Sequence, residues 1–288
     1  MPMQKNWVIT AETAASSAET ELEEILNWRM SDFTAGKCFR EVCSNRLRII
    51  GYLDGETQIE YIESWGLDLR AQFPQVLITW RQQDNEDWVE KWRKQCQPRR
   101  VGRSLLLCPP WLEPTADGRT VVQLEPGIGF GSGEHPSTRL SLIAIEQQER
   151  LGWFADIGCG SGVLSSAAVL LGADYVWSVD PDLPSVRATC ANLALNNVID
   201  RAEVKVGSTE QLHEQVDTLV CNISALVIID LADEFVRLLK PMGTAIFSGF
   251  TEDELPEVED ALSTRGWMEQ VKLGEGAWVC LIGTFNAR

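Results

Sequence analysis

An acidic residue followed by three glycines at alternate positions is the most chemically suggestive cluster in this sequence. The residues are Asp156, Gly158, Gly160 and Gly162, and a second acid, Asp180, ends the next apolar run. Glycines open backbone conformations that other residues avoid and let a ligand lie against the main chain, and a following helix offers unpaired N–H groups. A carboxylate at the tip of the next strand can accept hydrogen bonds from ribose hydroxyls. The cluster therefore predicts a nucleotide-cofactor site.

The glycine spacing distinguishes between cofactors. A dinucleotide fingerprint, G-x-G-x-x-G, requires a third glycine where this sequence has Val163, which disfavours an NAD-dependent enzyme. The shorter G-x-G-x-G, preceded by Asp156, resembles the S-adenosylmethionine site of Rossmann-like methyltransferases.

A glycine-rich loop lies just before this cluster. Residues 124–142 read L-E-P-G-I-G-F-G-S-G-E-H-P-S-T-R-L-S-L, and an apolar helical run follows at residues 140–145. We expect a ligand loop or lid here, with Ser137 or Thr138 as the N-cap of the helix. The alternative is a structured connection whose polar residues only cap the helix. An isolated histidine such as His135 is more often structural than catalytic, but the surrounding pattern favours a function.

The amino-terminal part alternates strands and helices in the order β-α-β-β-α-β. The predicted strands are residues 7–10, 39–43, 47–53 and 76–80, and the predicted helices are residues 16–29 and 57–72. This order is typical of a small α+β ferredoxin-like domain, which we expect at residues 1–83, closed by a polar break at residues 82–87. Trp88 and Trp92 are four residues apart on one helical face, so we expect residues 84–112 to be a linker with a tryptophan-rich helix.

Residues 113–288 alternate strands with helices, which predicts an α/β fold with a Rossmann-like, mostly parallel sheet. Predicted strands at residues 202–206, 217–221 and 244–248 follow the glycine cluster. A predicted turn at residues 240–243 precedes the third of these strands. Two final strands, at residues 267–273 and 277–285, add an antiparallel edge. Ligands bind such sheets at the carboxyl ends of the strands. The expected lining is Gly158, Asp180, Asn222 and either Gly207 or Ser208.

Composition narrows the function classes. A net charge of −17 argues against binding of the phosphate backbone as the main activity and is compatible with a basic protein partner. Eight cysteines without a C-x-x-C pair, with two histidines, indicate free buried thiols rather than a zinc site or a disulfide framework. With no apolar segment of roughly 20 residues and no apolar leader, we expect a cytoplasmic protein with no membrane contact. We also expect a monomer and, from the net charge, no direct nucleic-acid binding.

Several motifs together resemble one family. They are E-P-G-I-G-F-G-S-G-E-H-P-S-T, D-I-G-C-G-S-G-V-L, V-D-P-D and V-C-N-I, with D-W-V-E-K-W upstream and G-E-G-A-W-V near the carboxyl end. In these motifs the chain resembles the ribosomal protein L11 methyltransferase family. The resemblance implies transfer of methyl groups from S-adenosylmethionine to lysine side chains and the α-amine of that ribosomal protein, with the small amino-terminal domain holding the substrate. Ser132 and Ser137 replace the family's usual threonines and keep the hydroxyl.

The resemblance also implies site residues. For direct displacement by a neutral amine, we expect Asn222 to orient that amine through its side-chain oxygen. His135 and Glu125 are weaker candidates, unranked between them, for positioning or for accepting a proton. The expected cofactor-binding residues are Phe130, Ser137, Thr138, Asp156, Gly158, Gly160, Gly162, Asp180, Ser208 and Asn222.

Two alternatives stay open. One is a related protein-lysine methyltransferase with a different protein substrate, because its cofactor domain would have the same sequence features. The other is a binding module that keeps a Rossmann-like domain without turnover. The intact acids Asp156 and Asp180, with the glycines between them, argue against that second alternative.

Overall fold

The computed structural model describes residues 5–14, 20–34, 38–43, 46–84, 96–115, 117–125, 133 and 135–285. The chain divides into two compact units, Met1–Gln97 and Pro98–Arg288. None of the described helices has the length and apolar character needed to cross a membrane. Cysteines 108, 159, 221 and 280 are buried free thiols.

The first unit contains a four-stranded antiparallel sheet with the strand order β2-β3-β1-β4. Its elements are β1 (Lys5–Ala14), α1 (Thr20–Phe33), β2 (Cys38–Cys43), β3 (Arg46–Asp54), α2 (Ile59–Gln72) and β4 (Leu77–Asp84). Apolar residues of both helices and of strands β1, β3 and β4 form one buried core. This arrangement confirms the predicted ferredoxin-like α+β fold.

Two boundaries in the first unit differ from the prediction. Helix α1 extends beyond Arg29 because Met30 and Phe33 continue the buried stripe that begins at Leu26. Strand β4 continues to Asp84, two residues beyond the predicted start of the polar break at Gln82, because its backbone pairs with β1 as far as Lys5. Backbone pairing at a sheet edge does not require apolar side chains.

The second unit is organised around a seven-stranded sheet with the order β10-β9-β8-β11-β12-β14-β13. Neighbouring strands from β10 to β12 are parallel, whereas β14 is antiparallel to both β12 and β13. This confirms a mostly parallel sheet with an antiparallel edge. The strands are β8 (Trp153–Ile157), β9 (Tyr175–Asp180), β10 (Ala202–Val206), β11 (Val216–Asn222), β12 (Leu239–Thr251), β13 (Trp267–Glu275) and β14 (Trp278–Phe285).

Helices cover both faces of this sheet. Along β8, Phe154 packs into the core beside α3, α4 and α5, whereas Ala155 packs into the core beside α6, α7 and α8. Side chains of successive strand residues point to opposite faces, and strands buried on both faces are apolar throughout. The helices are α3 (Pro136–Glu146), α4 (Val163–Leu170), α5 (Leu183–Leu195), α6 (Ala225–Asp230), α7 (Ala232–Leu238) and α8 (Leu255–Ser263).

The sequence did not predict the small sheet formed by β5 (Arg99–Val101), β6 (Leu105–Cys108) and β7 (Thr120–Gln123). Strands of three or four residues are too short to show a periodic pattern. Strand β12 also includes the predicted turn at residues 240–243, with Met242 at a φ of 64°.

Candidate active site

Four parallel strands end at the same level of the sheet. In the backbone register Ile157 lies opposite both Val179 and Cys221, and Val206 lies opposite Asp180. Strand β9 lies on one side of β8 and β11 on the other, so the strand order reverses at the end of β8. Such a switch point is where α/β sheets bind ligands.

The glycine loop fills this switch point. Gly158, Gly160 and Gly162 all have positive φ angles, of 76°, 53° and 74°. The requirement is strictest at Gly162, where a Cβ atom would lie 2.8 Å from the Cα atom of Thr189. The loop therefore presents main-chain atoms directly to the space above it, in a conformation that other residues rarely adopt.

Asp180 connects this loop to the end of β9. Its Oδ2 accepts the N–H of Gly160 at 2.9 Å and its Oδ1 accepts the N–H of Asp182 at 2.9 Å. Each carboxylate oxygen has a second lone pair, so the fixed side chain can still accept hydrogen bonds from ligand hydroxyls.

A cavity of about 440 Å³ opens above these strand ends, a volume within the usual range for cofactor sites. Its described lining includes five of the predicted site residues: Gly158, Gly160, Asp180, Ser208 and Asn222. The other lining residues are Ile157, Pro181, Ser185, Gly207, Ile223, Ser224, Val227 and Leu231.

Asn222 contributes the unsatisfied polar atom of this lining. Its side chain is buried, and among the described residues its Oδ1 has no hydrogen-bond partner. Its Nδ2 lies 3.5 Å from Oγ1 of Thr138, to which it donates. A buried acceptor without a donor costs about 1–3 kcal/mol, so Asn222 favours a ligand that brings an N–H group to this position.

Asp156 is fully buried and lies outside the cavity's described lining. Ser165 donates from its Oγ to Oδ2 of Asp156 at 2.5 Å, and the hydroxyl of Ser178 lies 2.8 Å from the same Oγ. Burial raises the pKa of Asp156 to about 7, against the lowering effect of the Ser165 hydrogen bonds. Asp156 of β8 is therefore connected directly to α4 through Ser165 and, through the same hydroxyl, to Ser178 of β9 within the core.

The start of helix α3 corrects one prediction. The N-cap is His135, not Ser137 or Thr138, because the imidazole Nδ1 accepts the N–H of Ser137 at 3.3 Å and Pro136 takes the first helical position. The same Nδ1 lies 2.7 Å from the hydroxyl of Ser137. Burial, together with the charge of Arg139, lowers the pKa of His135 to about 4, against the raising effect of the Glu275 carboxylate. The ring is therefore neutral at pH 7.

Helix α5 supplies supporting residues that the sequence did not reveal. Asn192 donates to the carbonyl oxygen of Ser161 at 2.8 Å and accepts the N–H of Glu125 at 3.1 Å. Thr189 donates to the carbonyl oxygen of Gly160 at 3.0 Å. These buried polar side chains hold the glycine loop and the segment before α3 together. Their position on the inner face of a helix was the available signal, but their partners are distant in sequence.

Some predicted residues fall outside the description. Residues 126–132 and 134 of the predicted lid, among them Phe130, lie outside the described residues. Trp88 and Trp92 of the predicted linker helix also lie outside them.

The lining fits S-adenosylmethionine. The molecule carries ribose hydroxyls that match the carboxylate of Asp180, beside the backbone of Gly158 and Gly160. Asn222, whose buried Oδ1 has no partner among the described residues, belongs to the same lining. Apolar side chains, among them Val227 and Leu231, complete a wall suited to an aromatic base.

Comparison with known proteins gives consistent matches over the whole chain. The family model "Ribosomal protein L11 methyltransferase (PrmA)" matches residues 5–286. The chain is 43% identical over 282 residues to the ribosomal protein L11 methyltransferase of Gloeobacter violaceus, covering 98% of this chain and 89% of that protein. It is 35% identical over 305 residues to that of Synechococcus elongatus, covering 99% of each.

A solved structure gives the same result. The crystal structure of the ribosomal protein L11 methylase from Lactobacillus delbrueckii subsp. bulgaricus superposes with a TM-score of 0.62 at 31% identity, covering 67% of this chain and 100% of that one. The chain therefore belongs to the ribosomal protein L11 methyltransferase family, and it is a protein methyltransferase that uses S-adenosylmethionine as its methyl donor.

Proposed function

We propose that this enzyme methylates lysine side chains and the α-amino group of ribosomal protein L11 by direct methyl transfer. The relatives' names support this substrate. The observation that carries the proposal is the buried Oδ1 of Asn222, an acceptor without a partner among the described residues, in the wall of the cavity that the glycine loop borders.

Within the proposal, Asn222 orients the nucleophile. An amine that donates one N–H to Oδ1 of Asn222 has its lone pair directed away from that hydrogen bond and into the cavity. Thr138 fixes the carboxamide by accepting from Nδ2, so the oxygen keeps one direction. Alignment of this kind lowers the barrier by removing the entropy cost of bringing the reactants into line.

The amine must be neutral to react. A lysine amine ordinarily has a pKa near ~10.4, and an apolar surrounding disfavours the charged form. Ile157, Ile223, Val227 and Leu231 provide such a surrounding in the cavity. Bound S-adenosylmethionine would supply an already activated methyl group on a sulfonium and leave as S-adenosylhomocysteine. The protein has to position the nucleophile and exclude water, and the proton that the amine loses passes to solvent.

We assign different parts to the remaining predicted residues. Asp180, Ser208 and the loop of Gly158 to Gly162 hold the cofactor, and Phe130, Ser137 and Thr138 keep the cofactor-binding role expected from the sequence. Asp156 supports the loop through the core. His135 acts through the start of α3, since its Nδ1 is engaged by Ser137.

The proposal also covers the protein's organisation. Residues 1–83 would hold the protein substrate, residues 84–112 would link the two parts, and residues 113–288 would carry the chemistry. A net charge of −17 suits a basic ribosomal protein as partner. We propose that the enzyme acts in the cytoplasm as a monomer, without direct contact to nucleic acid.

The deciding experiment uses purified enzyme, S-adenosylmethionine with a labelled methyl group, and purified ribosomal protein L11, followed by peptide mass spectrometry. We expect the label on lysine side chains and on the α-amine of L11. A parallel incubation with ribosomal extract tests the substrate: label on a different protein would favour a related lysine methyltransferase instead. Asn222→Ala serves as the catalytic control, and a wild-type rate in that variant would contradict the role given to Asn222.

A further inference from the structure

The hairpin of β13 and β14 reaches the start of helix α3 at two points. The ring of Trp278 lies edge-on to the ring of His135, with centroids 4.2 Å apart and planes at 76°. The carboxylate of Glu275 accepts from Nε of Arg139, with both oxygens at 3.1 Å, and a second hydrogen bond from Nη2 makes the ion pair bidentate. A bidentate ion pair fixes the relative orientation of its two side chains more strongly than a single hydrogen bond does.

The two contacts of the hairpin lie on either side of Thr138, the residue of α3 that contacts Asn222. His135 caps the helix, Arg139 lies one turn further, and the fully buried Thr138 lies between them. Thr138 in turn accepts from Nδ2 of Asn222 at 3.5 Å. A shift of the hairpin would therefore move the partner that fixes the carboxamide of Asn222.

Strand β14 also supports Asn222 from its other side. The hydroxyl of Ser248 donates to the carbonyl oxygen of Val279 at 2.7 Å. The carbonyl oxygen of Ser248 accepts the N–H of Ile223, the residue after Asn222, at 3.1 Å. Residues 278 and 279 thus support the side chain of Asn222 through α3 and its backbone through β12.

We propose that Glu275 and Trp278 are positioning residues for methyl transfer, which hold the carboxamide of Asn222 in the direction that receives the amine. Neither residue belongs to the described lining of the cavity, so they act through Arg139, His135 and Thr138. This inference rests on the proposed role of Asn222. It assigns part of the geometry of the active site to a hairpin that is remote in sequence from the glycine loop.

The test compares Glu275→Gln and Trp278→Phe with a matched control. Glu252→Gln removes an exposed ion pair at 3.1 Å between Lys272 of β13 and Glu252, the residue after β12. The phenylalanine variant keeps an apolar ring, which protects folding. If the hairpin were needed only for stability, Glu275→Gln and Glu252→Gln would behave alike.

The first readout needs neither cofactor nor substrate. The side-chain amide signals of Asn222, assigned by their absence in Asn222→Ala, are followed by ¹H–¹⁵N NMR in the full chain. We expect these signals to shift or broaden in Glu275→Gln and Trp278→Phe and to stay in place in Glu252→Gln. Unchanged signals in both hairpin variants would overturn the proposal, whatever the substrate of the enzyme.

The second readout is kinetic, with purified ribosomal protein L11 as the methyl acceptor. We expect Glu275→Gln to lower kcat about tenfold, with the KM for S-adenosylmethionine changed less than about twofold. In the Asn222→Ala background the same substitution should have no further effect, because both act through one carboxamide. Effects that multiply would indicate a general structural role and overturn the proposal. A wild-type rate in Asn222→Ala alone would instead contradict the proposed function.

Discussion

The side-chain nitrogen of Asn222 lies 3.5 Å from the hydroxyl oxygen of Thr138, a residue 84 positions earlier in the chain. The contact joins the end of a central strand to the first turn of a helix on one face of the sheet. The amide oxygen of Asn222 is buried and has no hydrogen-bond partner among the described residues, and Asn222 belongs to the lining of the cavity.

Removing the hydroxyl should therefore release the carboxamide. We expect Thr138→Val to lower the rate of methyl transfer about five- to tenfold, the equivalent of one lost hydrogen bond of about 1 kcal/mol. Thr138→Ser keeps the hydroxyl and should stay near the wild-type rate. Single-turnover kinetics measures both, and equal losses in the two variants would show that packing, not the hydrogen bond, matters at this position.

Asp180 should decide the affinity for S-adenosylmethionine. Its oxygens are already fixed by the N–H groups of Gly160 and Asp182, so hydroxyls of the ligand meet an acceptor in place. We expect Asp180→Ala to weaken binding about a hundredfold, as for two charge-assisted hydrogen bonds. Calorimetry provides the measurement. Asp182→Asn, which removes a neighbouring charge outside the described cavity lining, should change the affinity little. An unchanged affinity in Asp180→Ala would contradict the site.

The ring of His135 should titrate well below pH 7. Burial is the main reason that its pKa falls to about 4. The chain has two histidines, so its histidine Cε1–H signals are easily followed by NMR, and the signal lost in His135→Asn identifies the ring. We expect that signal to stay constant from pH 8 to pH 5.5. A midpoint near the ordinary value of about 6.5 would show that the ring charges readily in the folded chain.

The buried carboxyl of Asp156 should make the free energy of unfolding fall as the pH rises. Its pKa is about 7 in the folded chain, against an ordinary value of 3.8. The folded state therefore holds a proton that the unfolded state releases, so its contribution is complete below pH 3.8 and is lost as the pH rises to about 7. His135, with a folded pKa lowered from 6.5 to about 4, gains stability as the pH rises over its own window.

These two effects oppose each other between about pH 4 and pH 6.5. Asp156→Asn should remove the contribution of the carboxyl, which falls as the pH rises. We therefore expect the unfolding free energy of the wild type minus that of the variant to decline by about 1.4 kcal/mol per pH unit. The difference for His135→Asn should rise at a similar rate. Urea unfolding at a series of pH values measures both, and flat difference curves would contradict the shifted pKa values.

Replacing Gly162 by alanine should lower the free energy of unfolding more than the same substitution at a glycine with a similar backbone conformation. Gly162 has a φ of 74° and Gly118 a φ of 81°, but an added Cβ meets Thr189 at the first site and nothing within 4 Å at the second. We expect Gly118→Ala to cost about 1 kcal/mol, from the left-handed conformation alone. Gly162→Ala should cost about 3 kcal/mol or more. Equal costs in chemical unfolding would show that α5 moves aside easily.

The sequence predicted the parts of the site that depend on local pattern. Gly158, Asp180 and Asn222 each follow an apolar strand, and parallel strands bring such positions together. The cap of α3 was mispredicted because Ser and Thr are the usual capping residues, whereas the ring of His135 is held in place by Trp278, which is remote in sequence. The contribution of Asn192 was missed for a similar reason, since its partners, Ser161 and Glu125, lie on distant segments.

The position of β14 has a consequence for synthesis of the chain. Strand β13 precedes β14 in the sequence but lies outside it in the sheet, pairing with β14 at the edge. On the ribosome, β13 therefore has no place in the sheet until residues 278–285 have emerged, and the edge of β12 stays open until then. The contacts of the hairpin with His135 and Arg139 form at the same late stage. A chain interrupted before Trp278 would leave the start of α3 without these supports, so a nascent chain would gain its ordered active site only with its final strand.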